Sequence, residues 1–177
     1  MAKLLNQGAY GCVYYPGFTP KGNVDNNKGY VTKLEVFDKT SKNEINISTI
    51  IKKIKNYNKY FSPIVKYYIT SFKQLNKYND KLKDCEAINL SENIYHNFIL
   101  IYIKYINGSS IEKYLLNIDI STIYLNRLIN SYIYLNNSIK LLINNNIIHY
   151  DLHTENILYD KKKDKPIIID FGLSINI

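Results

Sequence analysis

Tryptophan is absent from this sequence, methionine occurs once, and cysteine occurs only twice, as Cys12 and Cys85. Two cysteines are too few for a disulfide framework, and with no CxxC pair and no Cys/His cluster they exclude a zinc site. A reducing interior, the cytoplasm, is therefore the natural compartment. Long apolar runs are also missing. Ile99–Ile103 and Ile167–Ile169 are among the longest, far short of the roughly 20 residues that span a membrane, so no membrane partner is expected. The segment Met1–Gly8 lacks the basic-then-apolar pattern of a signal peptide.

What is present is an excess of lysine, asparagine, isoleucine and tyrosine. Tyrosine outnumbers phenylalanine 18 to 6, the net charge is +8, and the pI is about 9.2. Such a charge raises the question of a nucleic-acid partner. The four abundant residue types share A/T-rich codons, however, and the lysines are scattered apart from Lys161–Lys163. A solvated basic surface accounts for them, and nucleic acid is not an expected partner. At 177 residues and 46% hydrophobic composition the chain is long enough for one domain with its own core.

Periodicity divides the chain. Residues 1–37 hold five of the seven glycines and alternate in a strand-like way over Lys3–Gln7, Cys12–Tyr15 and Tyr30–Phe37, with Gly17–Gly29 as loop. Between residues 41 and 58 the period becomes helical, capped by Ser41 or Asn43, with Ile47, Ile51 and Ile54 on the apolar face. Ile64–Phe72 and Phe98–Ile106 read as strands separated by a polar loop over Lys73–Asn97. Ser110–Asn117 predicts a short helix. Ser121–Ile143 predicts a longer one whose apolar face includes Ile123, Leu128, Ile129, Tyr132, Leu135, Ile139 and Leu142. Short strands follow at Ile157–Tyr159 and Ile167–Ile169. A strand-rich first part and a helix-rich second part make the fold α+β.

Three segments carry chemistry. Asn6–Val13 places Gly8 and Gly11 in a turn between strands, where the missing Cβ lets backbone N–H groups approach a phosphate. Lys33 sits mid-strand among apolar residues and requires an anion there; Glu35, two residues on, shares its face, and Glu44 lies on the following helix. The third segment is His149–Asn156 followed by Ile167–Gly172. Asn156 and Asp170 supply hard oxygens suited to Mg²⁺. Asp151 supplies a carboxylate able to accept a proton from a hydroxyl nucleophile. Metal, phosphate positioning and an oriented nucleophile are the requirements of phosphoryl transfer.

In order and rough spacing, the Gly-rich turn, strand lysine, helix glutamate, H-x-D-x-x-x-x-N and D-F-G segments resemble the signature set of the protein-kinase superfamily. The resemblance runs from residue 1 to residue 177, and its texture is similar to the divergent serine/threonine kinases of large AT-rich DNA viruses. It implies a bilobal kinase-like fold within a single domain, with an N-lobe over 1–103, a connecting hinge over 104–107 and a partial C-lobe over 108–177. It implies ATP and Mg²⁺ as cofactors and a protein hydroxyl as acceptor. Asn6, Gly8 and Gly11 would cover the phosphates, and Val13 would pack on the adenine. Lys33, fixed by Glu44, would hold the α- and β-phosphates. Ile103 would stand behind the adenine, and Lys104 and Ile106 would bond its edge through their backbones. Asp151 would be the catalytic base, with Asn156 and Asp170 the metal ligands.

Several positions depart from the family. Asn6 replaces the first glycine of the loop, and the Lys33–Glu44 interval is short. Tyr150 replaces the arginine that reads an activation-loop phosphate in many kinases, so that switch is not expected. His153 stands where a lysine often contacts the γ-phosphate. A histidine there resembles small-molecule kinases of the aminoglycoside and choline type, while the plainer reading is a locally bonded loop histidine. His149 is expected to buttress the loop. The sequence finishes at Ile177, seven residues after Asp170, which suggests a kinase truncated after D-F-G. Ser121–Ile143 also carries Ile133, Leu141 and Ile143. Exposing large apolar side chains forfeits roughly 1.5–3 kcal/mol each, so a second copy or a partner is expected to cover that helix. The alternatives to a serine/threonine protein kinase are an inactive nucleotide-binding regulatory module and a small-molecule kinase.

Overall fold

The computed structural model describes residues 2–8, 11–75, 82, 85, 86, 97–117 and 121–177. They fall into two compact units, residues 1–42 with 64–105, and residues 43–63 with 106–177.

The first unit is built on an antiparallel sheet of β1 (Lys3–Gly8), β2 (Gly11–Tyr15), β3 (Tyr30–Val36), β4 (Ile64–Ser71) and β5 (Asn97–Lys104), in the order β1-β2-β3-β5-β4. The expected strands are found within two residues at each end. A turn of helix, α2 (Phe72–Leu75), follows β4, and most of the loop expected over Lys73–Asn97 lies outside the described residues. Period-two alternation sends Thr32 and Leu34 to one face and Val31, Lys33 and Glu35 to the other. On the Leu34 face, Cys12, Tyr14, Phe18, Leu82, Cys85, Phe98, Leu100 and Tyr102 form the core. Two cysteines make no framework, yet the single pair is joined: Cys12 and Cys85 form a disulfide across 73 residues, with Cα atoms 6.0 Å apart. Both are fully buried in this core, and nothing in their spacing announces the pairing.

The helix α1 (Lys39–Ile51) begins two residues before the expected cap. Asp38 performs the capping: its Oδ1 accepts from the Ser41 N–H at 3.0 Å, while the Asp38 N–H donates to Ser41 Oγ at 2.9 Å. Ser41 is thus the reciprocating partner of a capping box rather than the cap. Ile47, Ile51 and Ile54 are buried as expected, and they join Phe61, Leu142, Ile147, Ile168 and Phe171 in the core of the second unit.

The second unit also contains β6 (Gly108–Ser110), β8 (Ile157–Asp160) and β9 (Lys165–Ile168) in one small sheet, and β7 (Ile147–Ile148) paired with β10 (Ile175–Asn176). β6, β7 and β10 are two or three residues long, too short for any periodicity to show. Ser110 caps α3 (Ile111–Leu116) and Ser121 caps α4 (Thr122–Ile143), each accepting from the N–H three residues on. The buried stripe of α4 is Ser131, Ser138 and Leu142. The expected apolar face is therefore corrected in part: Ile123, Ile129 and Tyr132 are exposed by 64%, 54% and 71%. A serine fits a buried position by returning its hydroxyl to its own helix, as Ser138 does to the Tyr134 carbonyl at 2.8 Å, and a hydrophobicity pattern ranks it as polar. Among the described residues no helix is long and apolar enough to cross a membrane.

Candidate active site

In the first unit, strand register gathers the candidate residues. Asn6 pairs with Val13, Val13 with Lys33, and Lys33 with Ile101; Gly8 pairs with Gly11, Gly11 with Glu35, and Glu35 with Ile99. Directly opposed residues share a sheet face, so Asn6, Gly8, Gly11, Val13, Lys33 and Glu35 all lie on the face opposite the core. Ile103, opposed to Val31, lies there too. A Cβ on Gly11 would collide with the Leu34 carbonyl oxygen and come within 2.8 Å of the Glu35 Cβ. Gly8 has no such constraint, with nothing within 4 Å of the equivalent position. Lys33 Nζ is 2.9 Å from Glu35 Oε2, with only 12% and 5% of the two side chains exposed. An anion for the buried lysine thus stands on its own strand. Lys104 ends β5 as an exposed residue, and the next N–H, that of Tyr105, donates to the Gly29 carbonyl.

The second unit holds the other candidates. Glu44 is buried in α1, 2% exposed, and Ile106 is half-buried at the unit's start. Asp151, His153 and Asn156 come together around the short turn Thr154–Asn156. Asn156 is buried, and its Nδ2 donates to the Asp151 carbonyl at 2.9 Å and to Asp151 Oδ2 at 3.1 Å. Nδ2 also lies 3.1 Å from His153 Nε2, and with the amide nitrogen turned to Asp151 and His153, Oδ1 is left as the atom for a cation. His153 Nδ1 accepts from the Glu155 N–H at 3.3 Å, and its Nε2 lies 3.8 Å from Asp151 Oδ2. Two contacts compete for the ring proton: Nδ1 faces the Glu155 N–H, while Nε2 faces the Asn156 amide at 3.1 Å as well as the Asp151 carboxylate. His153 is thus bonded locally, and its ring stays half-exposed beside Asp151.

Asp170 follows β9 by two residues, half-buried, with φ 58°. Left-handed backbone is costly for a residue other than glycine and persists only where the surroundings enforce it. The enforcement is visible. The Asn156 carbonyl accepts from the Ile169 N–H at 3.0 Å, and the Gly172 N–H donates to Asp170 Oδ1 at 3.3 Å. His149 Nε2 donates to the Ile169 carbonyl at 3.0 Å, and the ring lies 5.0 Å from that of the buried Phe171. This is the buttress expected of His149, and burial holds its pKa below the ordinary histidine value. Asn43 and Ser174, which also tie this segment, carry no sequence signal.

One carboxylate and one amide oxygen, Asp170 and Asn156, fit Mg²⁺, which takes few protein ligands and completes its shell with phosphate and water. Among the described residues no cluster of three or more His, Cys, Asp or Glu could hold a metal unaided.

The family model described as protein tyrosine and serine/threonine kinase matches residues 1–177. The chain belongs to this kinase family. Two curated relatives from Dictyostelium discoideum are similar over shorter stretches. "Probable serine/threonine-protein kinase fnkB" is 39% identical over 77 residues, covering 43% of this chain and 14% of the relative. "EKC/KEOPS complex subunit bud32" is 35% identical over 74 residues, covering 42% of this chain and 29% of the relative. These matches span less than a third of either relative. With the family shown, the strand-rich first unit and the helix-containing second unit are the kinase fold in an α+β chain, and the expected kinase resemblance is borne out.

Proposed function

We propose that this kinase-family chain is an ATP- and Mg²⁺-dependent phosphotransferase acting on serine and threonine hydroxyls of proteins. The observation that carries the reading is the fixed pair Asp151–Asn156 bonded through Ile169 to the segment that presents Asp170. Asp151 accepts the hydroxyl proton as the acceptor oxygen bonds to the γ-phosphorus and the bond from that phosphorus to the ADP oxygen breaks. Asn156 holds the Asp151 carboxylate in one orientation. Lys33 offsets phosphate charge, with Glu35 fixing its ammonium group on the Gly11 face. Asn156 and Asp170 would hold Mg²⁺, which neutralises charge on the phosphates when bound. His153, half-exposed beside Asp151, is a further donor for a phosphate oxygen when Nε2 carries a proton.

The serine/threonine acceptor follows the printed name of one relative and the family resemblance. An ATP-dependent reaction belongs inside the cell, although the Cys12–Cys85 bridge is not what a reducing compartment favours. The apolar residues exposed on α4 support a second copy or a protein partner covering that helix, for which solution mass by light scattering is the check.

The deciding experiment measures ATP–Mg²⁺ stabilisation in a thermal shift, and γ-phosphate transfer to a mixed protein acceptor and to aminoglycoside and choline acceptors. Transfer to protein that Asp151→Asn abolishes is expected. Binding without transfer assigns a regulatory module, and transfer to the small molecules alone assigns the other kinase class.

A further inference from the structure

Asn43 precedes Glu44 on α1, and the proposed mechanism gives it no part. Its side chain nevertheless reaches across 129 and 131 residues of sequence. Nδ2 donates to the Gly172 carbonyl at 2.9 Å and to the Ser174 carbonyl at 2.8 Å. The amide orientation is fixed by this pattern, since a rotated amide would set its own oxygen against two carbonyl oxygens. Both amide hydrogens are used, so one side chain spans the turn Gly172–Leu173–Ser174 that directly follows Asp170 and Phe171. Gly172 and Ser174 are buried. Ser174 Oγ donates to the His149 carbonyl at 3.2 Å, which ties the same turn to the start of the Asp151 loop.

The strained residue is Asp170, at φ 58°. Upstream it is held by His149 and Asn156 through Ile169. Downstream the turn is anchored at its far end by Ser174 to His149 and by β10 to β7, and the Asn43 amide is the side chain that holds Gly172 and Ser174 against α1. We propose that Asn43 is a positioning residue: it latches the turn after Asp170 to α1 and so keeps the Asp170 carboxylate in its metal-binding orientation. The inference rests on Asp170 being a ligand of Mg²⁺, as proposed above.

Asn43→Asp tests it with little change of shape. The carboxylate removes both donors, and an acidic residue near a helix N-terminus does not oppose the helix dipole. Two readouts are needed. In the ligand-free protein, hydrogen exchange of residues 171–176 is expected to quicken about tenfold or more on loss of two hydrogen bonds, while β8 and β9 keep their protection. In the nucleotide-bound protein, the Mg²⁺ concentration at half-maximal ATP stabilisation is expected to rise by about the same factor, with ATP affinity in EDTA unchanged. Asn43→Ser, which keeps one shorter donor, should fall between wild type and Asn43→Asp, and it serves alone if the aspartate variant does not fold. Unchanged exchange at residues 171–176 overturns the latch. So does an equal loss of ATP affinity with and without metal, which is the mark of a merely structural asparagine. A wild-type protein without any Mg²⁺-dependent stabilisation sinks the phosphotransferase reading instead, and the exchange measurement, which involves neither ligand, still decides the latch.

Discussion

The two units position their chemical groups by different means. In the first, Asn6, Gly8, Gly11, Val13, Lys33 and Glu35 share a face because they occupy consecutive rows of one antiparallel ladder. The backbone ladder orders them, and the Lys33–Glu35 contact adds a side-chain tie. In the second, Asp151 and Asp170 stand on loops, and Tyr150 and Asp170 have left-handed backbones at φ 61° and 58°. Short ladders flank these loops, β7 with β10 and β8 with β9, but do not run through them. Side chains add the rest: His149, Asn156, Asn43 and Ser174 each bond a backbone group near one of the two aspartates. A sheet-borne half should tolerate loss of one side chain as a local change, whereas a loop-borne half should lose geometry when a supporting residue is lost.

The largest effect expected falls on the loop-borne half. Asp151→Asn should lower γ-phosphate transfer by about 10²-fold or more, the scale of a positioned acid–base group, with thermal stability close to wild type because the side chain is 43% exposed. Equal transfer by wild type and variant would remove Asp151 from the mechanism. Next comes the Lys33–Glu35 contact of the sheet-borne half. Glu35→Leu takes away the carboxylate beside a largely buried lysine and should cost about 3 kcal/mol of stability. In a Lys33→Met background the same change should cost much less, a coupling that denaturant titration of the four proteins measures. Additive costs would mean that the 2.9 Å contact is geometric only.

A smaller effect separates two glycines of the same hairpin. Gly11→Ala drives a methyl group into the Leu34 carbonyl and the Glu35 Cβ, an overpacking expected to cost about 2 kcal/mol. Gly8→Ala meets open space and should leave the melting temperature nearly unchanged. Equal shifts for the two would show that the hairpin yields, and that the ladder is not the rigid element it is taken for.

The same contrast governs what could be read from the chain. Lys33 and Glu35 were legible as a pair because period two puts residues two apart on one face, and Ile47, Ile51 and Ile54 because helical spacing does the same. Asp151, Asn156 and Asp170 were legible as chemistry, because few other roles gather those groups at that spacing. Their supports were not. Asn43 meets Gly172 across 129 residues, and Cys12 meets Cys85 across 73; no local pattern encodes such contacts. Asp38 was overlooked because Ser41 is an equally good cap by type, and only the direction of the two hydrogen bonds tells them apart. On α4 the pattern misled, since Ser131 and Ser138 are buried while Ile123 and Tyr132 are exposed.

The smallest effect tests the buttress of the loop-borne half through pH. His149 donates from Nε2 to the Ile169 carbonyl, so its neutral ring keeps a bare Nδ1, which is buried without a hydrogen-bond partner. Desolvation lowers the pKa below 6.5, outweighing the backbone bond to Ile169 and the charges of Asp170 and Asp151, which raise it. In the unfolded chain the ring titrates near its ordinary value of about 6.5. Between the folded pKa and that value the unfolded state binds more protons, so stability rises with pH across this window and is fully present above it. Acidification from pH 7 should therefore erode the stability of the wild type through this ring. His149→Asn, which can keep the donor to Ile169 but cannot titrate, should lower stability at pH 7 yet flatten its decline on the way to pH 5. Melting curves of the two proteins across that range make the comparison. Parallel declines would show that the carboxylates of the loop, not the buried imidazole, set the acid sensitivity of this half.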